Sequence, residues 1–487
     1  VTLFTLLYTS TALWLATYGL NAFILVFLYL RHRGTARPAP QVDSDCLPTV
    51  TVQVPVYNER HVIERVVDAV ASLNYPADRL QIQILDDSTD ETTMLARERA
   101  TFHHQRGLDI TVLRRAGREG FKAGALSWGL ERARGEYIAV FDADFRPRPD
   151  FLLKTIPHFL DRPALGLVQT RWSHLNADYS PLTRAQAVAF DGHFVVEQTG
   201  RDRSGLLMNF NGTAGVWRKA CIEDSGGWDS TTLSEDLDLS YRAQLNGWRT
   251  LYLPNTDAPA ELPPQIAALK RQQARWTQGS VQTLRKLLRP ICRSRRLSLI
   301  QKGMALLHLS GYLAHALMII LLLATLPLLL LGGTPPFLGN IGLVMSLGPP
   351  LTYAISQQAL YSNWGRRLLT FPLLILVGIG IAWNNSLAIW RGLRLWGGTF
   401  ARTPKFQVEG RSGGWLGSKY RLSIDRSVIG EGVLAVYAVA ATFAALSAGR
   451  YGMMPFTLLY AASFGTVASI EVAQALSPGR NRSCPNP

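Results

Sequence analysis

Tyr137-Ile138-Ala139-Val140-Phe141-Asp142-Ala143-Asp144 joins five hydrophobic residues to two carboxylates set one residue apart. The hydrophobic part suits a buried strand, and in an extended chain residues two apart point to the same side. Three earlier runs have the same character: residues 49–56, 81–85 and 110–113. Helical patterns fill the intervals at His61–Leu73, Glu91–His104 and Lys122–Ala133. Strands alternating with helices predict an α/β domain with a mainly parallel sheet. Ligands of such sheets gather outside the carboxyl ends of the strands. The acids stand there, Asp86-Asp87 after the second strand and Asp142-Ala143-Asp144 after the fourth. No GxGxxG or GxxxxGK[ST] follows a strand, which argues against a dinucleotide or P-loop fold.

Outside this domain the composition changes. Charged residues are 17% of the 487-residue chain, but they concentrate between residues 48 and 300. Long apolar runs occupy Leu3–Leu30, Met304–Leu331, Phe337–Leu360, Leu368–Trp390, Ile429–Ala448 and Met453–Leu476. About 20 apolar residues suffice for a helix to cross a bilayer. Leu3–Leu30 lacks a basic leader and a small-residue cleavage site, so it reads as an anchor rather than a signal peptide.

The net charge of +15 is localised. Arg285, Lys286, Arg289, Arg293, Arg295, Arg296 and Lys302 form one basic run, and residues 391–426 form another. Both abut apolar runs, which fits a cytosolic membrane face and lipid headgroups better than nucleic acid. Arg31 and Arg33 agree, and place the large polar segment in the cytosol. If 304–331, 337–360 and 368–390 all crossed, the basic loop would fall on the wrong side. One of the last two is therefore expected to be re-entrant or interfacial, with Gly348-Pro349-Pro350 breaking a helix and five or six crossings in all. Cys46, Cys221, Cys292 and Cys484 are scattered, which predicts a reduced protein without disulfides or structural zinc.

Each acidic or aromatic motif has two readings. Asp142 and Asp144 suit Mg²⁺ or Mn²⁺ shared with substrate phosphates, or a solvated turn. Asp86 and Asp87 suit a base or ribose, or a helix cap before Glu91. Ser234-Glu235-Asp236 suits a general base, or acids at a helix N-terminus. Gln272-Gln273-Ala274-Arg275-Trp276 suits a diphosphate clamp and a sugar platform, or an interfacial anchor.

Taken in order, these motifs resemble the membrane-integrated family 2 glycosyltransferases: cellulose, chitin and hyaluronan synthases and ceramide glucosyltransferase. The matching residues are Val54-Pro55-Val56-Tyr57-Asn58-Glu59, Asp86-Asp87, Lys122-Ala123-Gly124-Ala125-Leu126, Asp142-Ala143-Asp144, Ser234-Glu235-Asp236 and Gln272-x-x-Arg275-Trp276. Val168-Gln169-Thr170-Arg171-Trp172 and Phe210–Arg218 are similar to cellulose-synthase-like mannan and glucan synthases (families A and C) and their bacterial relatives, and Arg402-Thr403-Pro404-Lys405-Phe406 resembles a segment common after the spans in related bacterial enzymes. The family's usual Thr-Glu-Asp is Ser-Glu-Asp here, and Phe210–Gly215 lacks the cysteine-containing form of the cellulose synthases.

The resemblance implies a GT-A type nucleotide-sugar domain inserted between transmembrane helices of an integral membrane protein. The boundaries expected are an anchor at 1–31, a cytosolic catalytic domain at 48–258 and interfacial helices at 259–302. Membrane or re-entrant helices follow at 303–390, then a basic loop with a gating role at 391–427, a hairpin at 428–477 and a tail at 478–487. It implies an inverting, metal-dependent transfer of hexose from GDP-mannose or UDP-glucose to a growing β-glycan, with coupled translocation. The alternative is a glycolipid synthase with a ceramide- or diacylglycerol-type acceptor. Tyr57, Glu59, Asp86, Asp87, Lys122, Asp142, Gln272 and Arg275 would bind the donor, and Asp142 and Asp144 the metal. Asp236, with Glu235, would be catalytic. Trp276, Asn211, Gly212 and Thr213 would meet the acceptor. The partners implied are the nucleotide sugar, the glycan or lipid acceptor and membrane lipids, with no nucleic acid.

Overall fold

The computed structural model describes residues 2–34, 38, 40, 42–333 and 344–477. The expected tail at 478–487, Cys484 and the first part of the run Phe337–Leu360 lie outside them. Cys46, Cys221 and Cys292 are free thiols.

A seven-stranded sheet organises the polar segment. Its strands are β1 (Val50–Val56), β2 (Leu80–Asp86), β3 (Asp109–Leu113), β4 (Tyr137–Val140), β5 (Leu165–His174), β6 (Gly215–Arg218) and β7 (Arg249–Ala260), in the order β3-β2-β1-β4-β6-β5-β7. β3, β2, β1 and β4 are mutually parallel, as are β5 and β7; β6 runs antiparallel between β4 and β5. β1 is buried along nearly its whole length, which is why it reads as an almost unbroken hydrophobic run. Its two buried polar residues are partnered on β2, Thr51 donating to Gln81 Oε1 at 2.8 Å and Gln53 to Gln83 Oε1 at 3.0 Å.

The helices that place the site are α1 (Thr2–His32), α2 (Ile63–Ala71), α3 (Thr92–His104), α4 (Phe121–Leu130), α5 (Pro181–Asp191), α6 (Glu235–Asn246) and α7 (Ile266–Arg293). Helix α2 buries Ile63, Val66, Val67 and Val70, the i, i+3, i+4, i+7 stripe that packs one face on the sheet. Helix α7 leads into the apolar remainder: α8 (Leu313–Leu330), α9 (Gly348–Leu360), α10 (Phe371–Gly380), α11 (Ala382–Arg394), α12 (Ser427–Ser447) and α13 (Met454–Leu476).

Five described helical stretches are long and apolar enough to cross a membrane: Thr2–His32, Leu313–Leu330, Trp364–Arg394, Ser427–Ser447 and Tyr451–Leu476. The third is bent, since α10 stops at Gly380 and α11 starts at Ala382. Both its ends return to the polar domain. At one end Arg367 sits 4.0 Å from Asp191 of α5 and donates to Gln357 of α9, which itself donates to Asp191 at 2.9 Å. At the other, Arg285 donates to the carbonyls of Gly392 and Leu395 at 2.7 and 3.1 Å.

Gly348-Pro349-Pro350 stands at a helix break, as expected from sequence: residues 344–346 are helical, 347 is a turn, and α9 begins at Gly348. The prolines occupy the first turn of α9, where their missing N–H has no helical partner to lose. Gly348 packs against α1 so closely that a Cβ there would lie 2.6 Å from the Gly19 carbonyl. Small residues permit such close crossings between membrane helices.

Helix α7 is joined to the last two helices by a buried ion triad. Lys270 Nζ lies 2.7 Å from Glu431 Oε1 on α12 and 2.6 Å from Glu471 Oε2 on α13. All three side chains are buried. Gln474 on α13 accepts from the Ile266 N–H at 2.8 Å, satisfying one of the orphan donors at the start of α7.

Candidate active site

At the carboxyl ends of β1, β2 and β4 the chain leaves the sheet, and its polar side chains turn into one cleft. Tyr57, Glu59, Asp87, Lys122, Asp142 and Asp144 line its sheet side. Arg115 holds Asp87 in a bidentate pair, Nε to Oδ1 at 2.8 Å and NH2 to Oδ2 at 2.6 Å. Lys122 Nζ lies 2.6 Å from Asp142 Oδ1, and Lys405 Nζ 2.6 Å from Asp144 Oδ2. Thus each carboxylate of the pair already faces a cation. Two hard oxygen donors suit Mg²⁺ or Mn²⁺, which typically take one or two protein carboxylates and complete their shell with phosphates and water. Among the described residues no group of three or more His, Cys, Asp or Glu forms a metal cage.

The acidic trio at the start of α6 is not a simple cap. Ser234 is the N-cap residue, yet its side chain makes no capping hydrogen bond. Asp236 accepts from the neighbouring Leu237 N–H at 2.8 Å and its carboxyl group lines the cleft. Burial, and then the charge of Glu235, push it up to about 7 against the pull of Lys122. Gly212 is needed opposite: its φ is +82°, and a Cβ there would sit 2.8 Å from Asp236 Oδ2. The glycine therefore leaves open space in front of the carboxylate.

The opposite side of the cleft comes from the membrane-side segments. Helix α7 supplies Gln272, Arg275 and Trp276, three and four residues apart and hence on one face. Trp276 meets Phe190 edge to face at 5.8 Å, and Trp172 and His174 continue the aromatic wall. The segment between α11 and α12 closes over the top. Phe400 lies between Phe121, 6.4 Å away, and the Arg275 guanidinium, 4.4 Å from its centroid. Arg402 pairs with Glu59 at 3.1 Å, and Phe406 N–H donates to Glu261 at 2.8 Å. Burial pushes Glu59 up to about 8 despite Arg402 and Lys405 beside it. Farther along, Glu409 pairs with Arg65 at 2.9 Å, and Tyr420 donates to Asp90.

Thirteen of the fifteen residues expected from sequence thus line one cleft: Tyr57, Glu59, Asp87, Lys122, Asp142, Asp144, Asn211, Gly212, Glu235, Asp236, Gln272, Arg275 and Trp276. Asp86 and Thr213 do not. Asp86 is buried beneath the cleft, accepting from the Ser88 N–H, the Thr93 hydroxyl and Arg114. Thr213 is wholly buried, and its hydroxyl accepts from the Asp142 N–H at 2.9 Å. It holds the backbone of the acidic pair from beneath and does not line the cleft. Sequence reasoning passed over Arg118, His174, Phe190, Phe400, Arg402 and Lys405, all in the lining. The only signal for the last two was the Arg402–Phe406 resemblance.

Residues 48–279 match the family described as "Glycosyltransferase like family 2". The chain is 41% identical over 268 residues to glucomannan 4-beta-mannosyltransferase 1 of Oryza sativa subsp. japonica, covering 54% of this chain and 51% of the relative. It is 41% identical over 266 residues to glucomannan 4-beta-mannosyltransferase 2 of Arabidopsis thaliana, covering 54% and 50%. The chain thus spans about half the length of these curated relatives. A mannosyltransferase from Pyrobaculum calidifontis, solved with GDP-Man and Mn²⁺, superposes with a TM-score of 0.54 at 21% identity, over 80% of this chain and 99% of that one. Residues 48–279 thus match the family 2 glycosyltransferase model, the fold is GT-A-like, and the polar segment is joined to helices fit to cross a membrane.

Proposed function

We propose that the protein is an inverting, metal-dependent β-mannan or glucomannan synthase, transferring mannose from GDP-mannose to a growing β-glycan at the membrane. The observation that carries this reading is the single cleft. It gathers a nucleotide-side wall (Tyr57, Asp87), a diphosphate side (Lys122, Asp142, Asp144, Arg275), a carboxylate base (Asp236) and an aromatic platform (Trp276). The names of the relatives favour mannose over glucose. The GDP-Man and Mn²⁺ of the structural neighbour agree with that choice.

Asp142 and Asp144 would hold Mg²⁺ or Mn²⁺, which when bound neutralises charge developing on the nucleoside diphosphate leaving group. Lys122 and Arg275 place fixed positive charge against the same group. Trp276, with Phe190 and Trp172, offers a sugar a flat face. Asp236 takes the proton of the acceptor hydroxyl as its oxygen attacks the anomeric carbon from the side opposite the departing diphosphate. Attack from that side inverts the configuration.

The catalytic domain and residues 395–426 lie on the cytosolic face in this reading. That the two share one face is supported by the contacts of Arg402 and Lys405 in the cleft, by Arg367 near Asp191 and by Arg285 on the Gly392 and Leu395 carbonyls. The segment then enters the bilayer and leaves on the same face. Cysteines introduced at Asn363 and Arg411 should both resist labelling from outside intact cells. External labelling of either one alone would mean a full crossing.

The decisive experiment incubates membranes containing the protein with radiolabelled GDP-mannose or UDP-glucose, with and without a chelator. Ethanol-insoluble label from GDP-mannose, abolished by chelation and restored by Mn²⁺ or Mg²⁺, is the expected result. Label extracted into organic solvent would point to a lipid acceptor instead, and turnover in excess chelator would refute the metal role.

A further inference from the structure

Four cations follow β3 in quick succession, and three of them are committed. Arg114 bonds Asp86 and the Ser88 carbonyl. Arg115 spends its donors on Asp87 and on the carbonyls of Glu119 and Phe121, which pins the loop. Lys122 bonds Asp142 and the Gly212 carbonyl. Arg118 differs. Among the described residues its side chain has no hydrogen bond or ion pair, and its Nε is buried without a partner. Its guanidinium instead lies over the Tyr57 ring, 3.3 Å from the centroid. The loop that presents it is held in an unusual conformation, with φ of +68° at Gly120 and +50° at Phe121. Positive φ at a bulky residue is strained, and such strain persists only where surrounding contacts enforce it.

Position along the sheet says what this guanidinium faces. Tyr57 and Asp87 follow β1 and β2, toward the β3 edge, whereas the acidic pair follows β4. Lys122 stands on the β4 side against Asp142; Arg118, four residues earlier, stands over Tyr57. The two cations therefore divide the cleft, Lys122 toward the diphosphate and Arg118 toward the nucleoside.

We propose that Arg118 is a nucleobase clamp that sets donor specificity, a proposal resting on the donor-site reading above. The flat base enters between the Tyr57 ring and the guanidinium, which lifts to lie on its other face. Stacking is tolerant of base identity but grows with π surface, so a purine gains more than a pyrimidine.

The test measures binding of GDP, UDP and inorganic pyrophosphate, each with Mn²⁺, to the full-length protein in nanodiscs. Arg118→Ala should weaken GDP about tenfold and UDP about threefold, in line with cation–π and stacking contributions, and leave pyrophosphate within about twofold. Arg118→Lys keeps the charge without the plane and should remain weak for GDP. Equal losses for all three ligands would make Arg118 a phosphate ligand and overturn the proposal. So would unchanged GDP binding in both variants. Failure of the native protein to bind any of the three overturns the donor-site reading and the clamp together, a result distinct from either.

Discussion

Lys122 and Lys405 make the same contact, 2.6 Å from a carboxylate of the Asp142-Ala143-Asp144 motif, but they reach it from different parts of the molecule. Lys122 lies on α4, within the sheet domain, and also bonds the Gly212 carbonyl. Lys405 belongs to a segment between two membrane-side helices, 261 residues from Asp144 in sequence. The sheet-borne half of the cleft is built on buried backbone. The membrane-side half is laid over it by side chains: Arg402 on Glu59, Glu409 on Arg65, Tyr420 on Asp90. The first half is suited to doing chemistry on a fixed frame. The second is suited to covering it.

Breaking the fixed half should have the largest effect. Asn can keep the hydrogen bond from the Leu237 N–H but cannot take a proton. Asp236→Asn should therefore keep expression, melting temperature and GDP affinity while transfer falls by about 10²–10⁴, the usual worth of a positioned base. Near-normal transfer by the folded variant would remove Asp236 from the mechanism.

A pH profile sharpens the same point. A base works ionised, and the Asp236 carboxyl is raised to about 7 by burial and then by Glu235. Activity should accordingly fall as pH drops through about 7, approaching tenfold per unit below it, so roughly a hundredfold by pH 5. Initial rates at saturating donor from pH 5 to 9 would show this limb, and its absence would mean that the base titrates elsewhere.

The covering half should respond more weakly and in the opposite sense. Lys405→Met removes a cation that competes for Asp144, so Mn²⁺ affinity should rise about three- to tenfold, while transfer drops because the cleft is less well covered. Lys122→Met also frees a metal carboxylate but removes the charge set against the diphosphate, so it should lose transfer at every metal concentration. Transfer rates measured across a Mn²⁺ titration distinguish them. Equal behaviour of the two variants would erase the distinction between the halves.

This division also explains what could be read from the sequence. The sheet-borne residues were legible because each follows a strand, and strand ends are where α/β sheets present their ligands. Asp86 misled because adjacent residues of an extended chain face opposite ways; the first carboxylate turns into the core and only Asp87 faces the cleft. Thr213 misled in a similar way, its hydroxyl spent on the Asp142 N–H. The roles of Phe400, Arg402 and Phe190 were not legible, since they depend on how helices far apart in sequence pack together. The Gly-Pro-Pro run was legible as a break, because proline cannot continue a helix from inside but begins one comfortably at its first turn.

The triad of Lys270, Glu431 and Glu471 has a consequence for biogenesis. Glu471 leaves the ribosome 201 residues after its ammonium partner. Until then Lys270 has only part of its counter-charge, and an ionisable group held in an apolar setting without its partner is costly. The helix that carries Gln272, Arg275 and Trp276 therefore reaches its final seat only once the last membrane hairpin is in place. A chain truncated before that hairpin would expose a stray charge where a sealed contact should be. Seating of the last hairpin and completion of the candidate cleft become a single event.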